Sequence, residues 1–327
     1  VSLLTYNVQD LPYWIAGDRS GDLAAIGARL AELRANGAAP QLVVLQEAFS
    51  EEPVAMLRSA GYRHIITGAD ANVPRPPSPE RLDQTFLDAR SILRGEAQAP
   101  QLSSGLVIAS DFPIVAAVST PFPADACAGI DCLANKGVLL ARIALPGTDV
   151  PLELVTTHLN AGRKSRTPPA HHLYAYRQQL KAFDRFLAQY GNPEAIRLIA
   201  GDFNVSHSGD RLVALRGHAA RWNVIPVTAM GKDKDAHECR SGAFSCRDGL
   251  PIASNVPLVH TLDWQFTGAA GGVAIQPVAR HVLFGREADG SMFSDHIGYA
   301  VRYRLGTQNT RRNFLRRVSF PPQENGI

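Results

Sequence analysis

Short apolar runs recur along the chain, and several stop at a residue able to do chemistry. Leu42-Val43-Val44-Leu45-Gln46 is followed by Glu47, Leu154-Val155-Thr156-Thr157 by His158, and Leu198-Ile199-Ala200-Gly201 by Asp202 and then Asn204. Short runs rich in β-branched and aliphatic residues, bounded by turn residues, read as strands. Strands are expected at Leu3–Val8, Gln41–Gln46, Tyr62–Thr67, Ser104–Ser110, Val115–Ser119, Gly137–Ile143, Leu152–His158, Ile196–Ala200, Thr261–Phe266, Val273–Pro277 and His296–Tyr303. Helical patterns lie between some of them. Asp18–Asn36 closes on Asn36-Gly37, Glu51–Ala60 opens after Ser50 with Pro53 in its first turn, and Ala170–Tyr190 ends at Gly191. In the last of these, Leu173, Tyr176, Leu180, Phe183 and Leu187 recur at helical spacing and mark a core face. Many strands with few helices imply an α/β fold of two packed sheets flanked by helices.

No repeat and no linker divides the chain. Pro74–Glu80 is proline-rich but is followed by helix-like and strand-like sequence, so it reads as an insertion loop. One domain is expected over residues 1–305, with a basic tail over 306–327 containing Arg311, Arg312, Arg316 and Arg317. That tail is either a solvated end or a segment that docks on an anionic surface.

The 327 residues are 45% hydrophobic and 19% charged, which excludes a disordered chain, and 27 glycines with 22 prolines exclude a collagen-like one. A formal charge of +3 is too small to imply non-specific nucleic-acid binding. No apolar run approaches the roughly 18 residues of a membrane span. The chain opens directly on the strand-like run Val1–Tyr6, as a mature or trimmed form would, so the lack of a signal segment says nothing about location. Cys127 with Cys132 and Cys239 with Cys246 form two close pairs in polar loops. Two short disulfide loops are the natural reading and imply export; a four-cysteine zinc site is the alternative.

Taken singly, Asn7, Glu47, His158, Asp202, Asn204, Asp263, Asp295 and His296 each have an ordinary explanation as turn or surface residues. As a set at strand termini they point to a site, because loops on a rigid scaffold carry chemistry. Thr5-Tyr6-Asn7-Val8, Leu45-Gln46-Glu47, Gly201-Asp202-Phe203-Asn204, Leu262-Asp263-Trp264 and Ser294-Asp295-His296 stand in an order similar to that of the endonuclease/exonuclease/phosphatase superfamily. The resemblance spans residues 5 to 296. It implies a deoxyribonuclease I-like fold, a four-layered α/β sandwich of two mainly antiparallel sheets that hydrolyses phosphate esters with a divalent metal. Leu102–Ser110, Cys132–Val138 and Thr157–Ala161 resemble one branch, the neutral magnesium-dependent sphingomyelinases.

The resemblance implies a role for each residue. Glu47 would hold Mg2+ (with Mn2+ or Co2+ as substitutes), and Asn7 would lie alongside. His296 would be the general base, with Asp263 on its far nitrogen and Asp202 positioning the water or the histidine pair. Asn204, His158 and Lys136 would bind phosphate oxygens, and Asp295 would support the metal's water shell or a neighbouring base. Lys136 also has a plain reading as a strand-edge lysine. The expected substrate is sphingomyelin, or another phospholipid at a membrane surface, with no nucleic acid as partner. The alternative is a deoxyribonuclease or phosphoinositide phosphatase on the same fold, although only five lysines argue weakly for DNA. A non-catalytic scaffold should have lost one of the key residues, and none is lost.

The sequence departs from the family in two places. Ser103-Ser104 stand where many nucleases of the superfamily carry an acid that orients the first histidine, which leaves the partner of His158 open. Between the last two motifs the related secreted enzymes carry an aromatic-tipped hairpin, whereas this chain has Leu283-Phe284 and Met292-Phe293. Phe244, between Cys239 and Cys246, is equally an exposed anchor or a buried plug.

Overall fold

The structure, a computed structural model, describes residues 1–205, 208–231, 261–268 and 273–307. Twelve strands are β1 (Ser2–Asp10), β2 (Leu42–Ala48), β3 (His64–Thr67), β4 (Val107–Ser110), β5 (Ile114–Pro121), β6 (Gly137–Ile143), β7 (Leu152–His158), β8 (Ile196–Asp202), β9 (Ile225–Gly231), β10 (Thr261–Gly268), β11 (Val273–Phe284) and β12 (Gly298–Thr307). They form two six-stranded sheets, ordered β11-β12-β1-β2-β4-β3 and β5-β6-β7-β8-β10-β9. Within each sheet one pair is parallel, β1 with β2 and β7 with β8, and the other pairings are antiparallel.

The apolar runs are continuous because both faces of each sheet are covered. Leu3, Leu42 and Val44 enter the core between the sheets, joined there by Leu139, Ala141 and Leu154 from the other sheet. Their neighbours Leu4, Val43 and Leu45 turn outward onto Leu23, Ile26 and Leu30 of a helix at Ser20–Ala35 and onto Leu57 of a helix at Glu52–Ser59. On the other sheet, Val138, Leu140 and Val155 face Tyr176, Leu180 and Phe183 of the long helix Pro169–Tyr190. Helix, sheet, sheet, helix is the four-layered α/β sandwich.

Two elements escape the pattern reading. The segment Ile225–Gly231 contains Pro226 and is not among the expected strands, but β9 is an edge strand, where a missing backbone donor is tolerated. The helix Gly209–Ala219 carries Gly209 and Gly217 and yet opens on a Ser208 cap, whose hydroxyl accepts from Arg211 N. Likewise β11 continues beyond Pro277 because its register shifts between Pro277 and Ala279. β12 runs to Thr307, two residues past the expected domain end, and the basic tail lies outside the described residues.

Cys127 and Cys132 form a disulfide with Cα atoms 5.2 Å apart, which removes this pair from the zinc reading. Cys239, Cys246 and Phe244 lie outside the described residues. No helix among the described residues is long and apolar enough to cross a membrane.

Candidate active site

Register brings the chemistry to one end of the sandwich. Asn7 stands opposite Gln46 on parallel β1 and β2, with Glu47 next in line. On the other sheet Asp202 faces His158 on parallel β7 and Asp263 on antiparallel β10. His296 precedes β12, which pairs with β1, so the second histidine returns to the same place from the first sheet. Three non-glycine residues at this end hold the left-handed backbone conformation: Gln9 and Glu47 at φ 53° and Asn204 at φ 48°. Side chains are kept in that region only where the surroundings over-determine them, and such strain gathers at functional sites.

One oxygen lies at the centre. Asp202 Oδ2 is 3.3 Å from Asn7 Nδ2, 3.3 Å from His158 Nε2 and 3.8 Å from His296 Nε2. Its other oxygen accepts from Asn204 N at 2.9 Å, which fixes the carboxylate plane. Asn7 also donates to Glu47 Oε1 at 3.0 Å, while its own Oδ1 accepts from Gln9 N at 3.1 Å. His296 Nδ1 meets Asp263 Oδ2 at 2.7 Å, leaving Nε2 turned toward Asp202 and toward Asp295 Oδ1, the latter at 3.8 Å. Asp263 is fully buried; Glu47 keeps its side chain 16% exposed, so it alone of this group reaches the mouth of the site together with Asp295.

Glu47, Asp202, Asp263 and Asp295 crowd several carboxylates into one end, an arrangement that calls for a cation. The donors are hard oxygens, which fits Mg2+ better than a softer ion. Glu47 supplies a carboxylate that is partly exposed and anchored at the end of β2, and Asn7 orients it. A second grouping is geometrically possible, since ligand atoms of Asp202, Asp263 and His296 lie within 4.8 Å of one another.

Lys136 is neither exposed nor at an edge. It is 6% exposed immediately before β6, a strand flanked by β5 and β7. Its Nζ lies 3.0 Å from Asp131 Oδ2, 3.1 Å from His158 Nε2 and 3.4 Å from Leu159 O. Lys136 is thereby tied to Asp131 and Leu159 and packs against the His158 ring, which it holds in place. This bears on the question left by Ser103-Ser104: Lys136 and Asp202 are among the partners of His158. Asn204 donates to Leu159 O at 2.9 Å and retains a second amide hydrogen.

Sequence reading missed two supports. Asp131 lies inside the disulfide loop, where it pairs with Lys136 and accepts from Ala161 N at 2.5 Å. Arg211 is 1% exposed and reaches the carbonyls of Asn160 (2.6 Å), Asn204 (2.8 Å) and Ala161 (3.1 Å), fastening the loops after β7 and β8 together. Its helix was not expected, so the available signal was only an arginine at a core position of a glycine-containing segment.

The same guanidinium lies 2.9 Å from His172 Nδ1. Burial, then the Arg211 charge, pushes His172 from its ordinary 6.5 down to about 4. The unfolded chain therefore takes up a proton at His172 in a window where the folded chain resists one. Stability is complete above pH 6.5 and falls as pH drops toward about 4. His172→Asn, which keeps an acceptor for Arg211 but cannot titrate, should flatten this limb of a stability-against-pH curve. An unchanged limb would remove His172 as its source.

The model of the Endonuclease/Exonuclease/phosphatase family matches residues 4–296. The chain belongs to this family. Its members are metal-dependent hydrolases, and the two-sheet sandwich is their deoxyribonuclease I-like fold. Among solved structures, the chain is similar to a beta toxin variant from Staphylococcus aureus with bound magnesium ions, at 18% identity and TM-score 0.58, covering 92% of this chain and 98% of that one. It is similar to sphingomyelinase C from Streptomyces griseocarneus at 17% identity and TM-score 0.57, covering 92% and 98%. It is also similar to D. rerio TDP2 complexed with single-strand DNA product, at 15% identity and TM-score 0.53, covering 93% and 98%. Comparison with curated proteins finds no match.

Proposed function

We propose that the protein is an extracellular Mg2+-dependent phosphodiesterase that hydrolyses sphingomyelin to ceramide and phosphocholine. The observation that carries the chemistry is the convergence of Glu47, Asn7, His158, Asp202 and the Asp263–His296 pair from both sheets. The lipid substrate is supported by Asn135-Lys136-Gly137-Val138, an element that resembles the sphingomyelinases and places Lys136 3.1 Å from His158, and by likeness to sphingomyelinase C over nearly the whole chain.

Glu47 would hold the metal with Asn7 beside it, and the bound ion would offset charge growing on the phosphoryl oxygens. The rest falls to side chains. Asp263 keeps the proton of His296 on Nδ1, so Nε2 is the nitrogen that takes a proton from water as its oxygen bonds to phosphorus. The bond from phosphorus to the ceramide oxygen breaks, that oxygen takes a proton from solvent, and the His296 imidazolium returns its own proton to solvent. Asp202 and Asp295 flank Nε2 and stabilise the imidazolium once it forms. The second amide hydrogen of Asn204 would donate to a phosphate oxygen, as would His158 in the tautomer that carries its proton on Nε2, with Lys136 holding the ring in place.

Phosphocholine release from sphingomyelin vesicles with Mg2+, with and without a chelator, tests this. Release that the chelator abolishes supports the reading. No release from folded, Mg2+-supplied protein would overturn the lipid substrate, and cleavage of single-strand DNA or a phosphoinositide would then replace it.

A further inference from the structure

The exposed apolar side chains are unevenly distributed. Tyr13, Trp14 and Ile15 are 77%, 72% and 44% exposed on a one-turn helix, Tyr13–Ala16, that buries none of its residues. Ile92 and Leu93 are 59% and 95% exposed on a 3-10 turn, Ile92–Arg94, that also buries none. Apart from Val115, Val213 and Val278, the large apolar side chains exposed among the described residues lie in these two loops or at Val73.

Topology places both loops beside the site. β1 leaves its sheet at Asp10, paired with Ala48 just past Glu47, and Tyr13 follows three residues later. β3 and β4 meet with Thr67 opposite Val107, so residues 68–106 connect them at the same end. A cleft lined by Asp10, Tyr13, Phe49 and Leu102 adjoins the first loop. Gly95 packs on the Leu133 side chain, and Leu133 O accepts from Leu102 N at 3.0 Å, which links the second loop to that cleft. The tips are also preformed. Gly17 N donates to Tyr13 O at 2.8 Å, and Gln98 Nε2 and Gly95 N donate to Ile92 O at 2.7 Å and 2.9 Å.

The loop after His158 adds charge to the same end. Arg163, Lys164 and Arg166 are exposed there, with Lys164 Nζ 2.6 Å from Asp295 Oδ2 and its side chain still 61% exposed. Projecting tryptophan, tyrosine and aliphatic tips flanked by cations match a phospholipid interface, where rings settle at headgroup level and cations meet phosphates. A nucleic-acid strand would use the cations and a stacking platform but offers nothing to an isolated, almost fully exposed leucine.

We propose that Tyr13, Trp14 and Ile15 with Ile92 and Leu93 form a membrane-docking rim, while Arg163, Lys164 and Arg166 contact lipid phosphates. This rests on the lipid reading of the site. It also moves docking away from the segment before the last motif, where Phe284 is buried on Tyr6 and Leu283 and Phe293 pack against the outer core.

The test is cosedimentation with phosphatidylcholine–phosphatidylserine vesicles free of sphingomyelin, so that binding is read without hydrolysis. The Trp14→Ala/Leu93→Ala variant should partition at least about tenfold less than wild type. Its hydrolysis of bis-p-nitrophenyl phosphate and its melting temperature should be unchanged. Arg163→Gln/Arg166→Gln should lose the phosphatidylserine dependence of binding. Equal partition of the Trp14/Leu93 variant and wild type overturns the proposal, as does a wild type that binds DNA and ignores vesicles. Vesicle binding without sphingomyelin cleavage would support docking and overturn the substrate assignment alone.

Discussion

His296→Ala should lower turnover by about 10²–10⁴-fold at neutral pH, the range in which a positioned general base contributes. The ring is held at one edge by Asp263 Oδ2, 2.7 Å from Nδ1, and its other nitrogen faces Asp202 and Asp295. Removing it removes the proton acceptor and leaves the phosphate-facing donors in place, so kcat should fall much more than KM rises. Added imidazole should restore part of the rate, which a merely structural lesion would not permit. Asp263→Asn sharpens the assignment. An asparagine amide can donate to Nδ1, shifting the ring proton to Nε2 and occupying the lone pair that must accept from water. The loss should therefore approach that of His296→Ala although the imidazole is still present. Near wild-type kcat in either variant would remove His296 as the base.

Which parts of this site were legible follows from how each residue is placed. Glu47, His158 and Asp202 end apolar strands, and a strand can be read from its pattern, so position along the chain nearly equals position in space. Asp263 and His296 belong to motifs whose order is enough to identify the family, and pairing with β8 and β1 brings them together. Lys136 was visible, but its role was not. Whether a strand-initial lysine points at solvent, substrate or a histidine depends on Asp131, which belongs to a disulfide loop with no pattern of its own. Arg211 was illegible for a related reason: a buried guanidinium serving backbone carbonyls looks in sequence like any surface arginine. The docking tips escaped notice because exposure is a tertiary property. Nothing in the Tyr13-Trp14-Ile15 sequence itself says that these side chains are left 77%, 72% and 44% exposed. Proline misled twice, at β9 and β11, where an edge position and a register shift accommodate what a central ladder would reject.

Glu47→Gln should cost about 10²-fold or more in Mg2+-supported turnover and raise the Mg2+ concentration needed for half-maximal rate, with the fold intact. The glutamine keeps an oxygen for the Asn7 Nδ2 hydrogen bond now made at 3.0 Å, so the strand end and its left-handed backbone retain their support. What is lost is the formal charge of the carboxylate that Asn7 orients, the property a hard divalent cation needs most. Titrating activity and heat of binding against Mg2+ in wild type and variant reads both effects. The comparison also separates two metal positions. If Asp202, Asp263 and His296, with ligand atoms within 4.8 Å, held the ion, Glu47→Gln would leave Mg2+ affinity unchanged and His296→Ala would weaken it. If Glu47 holds it, the two variants reverse. His296 Nδ1 is already engaged with Asp263 and its Nε2 is the nitrogen needed for water, so a histidine serving as ligand could not also be the base. The Glu47 position is the one that lets both functions coexist, and a weakened Mg2+ response in Glu47→Gln alone is the result that bears this out.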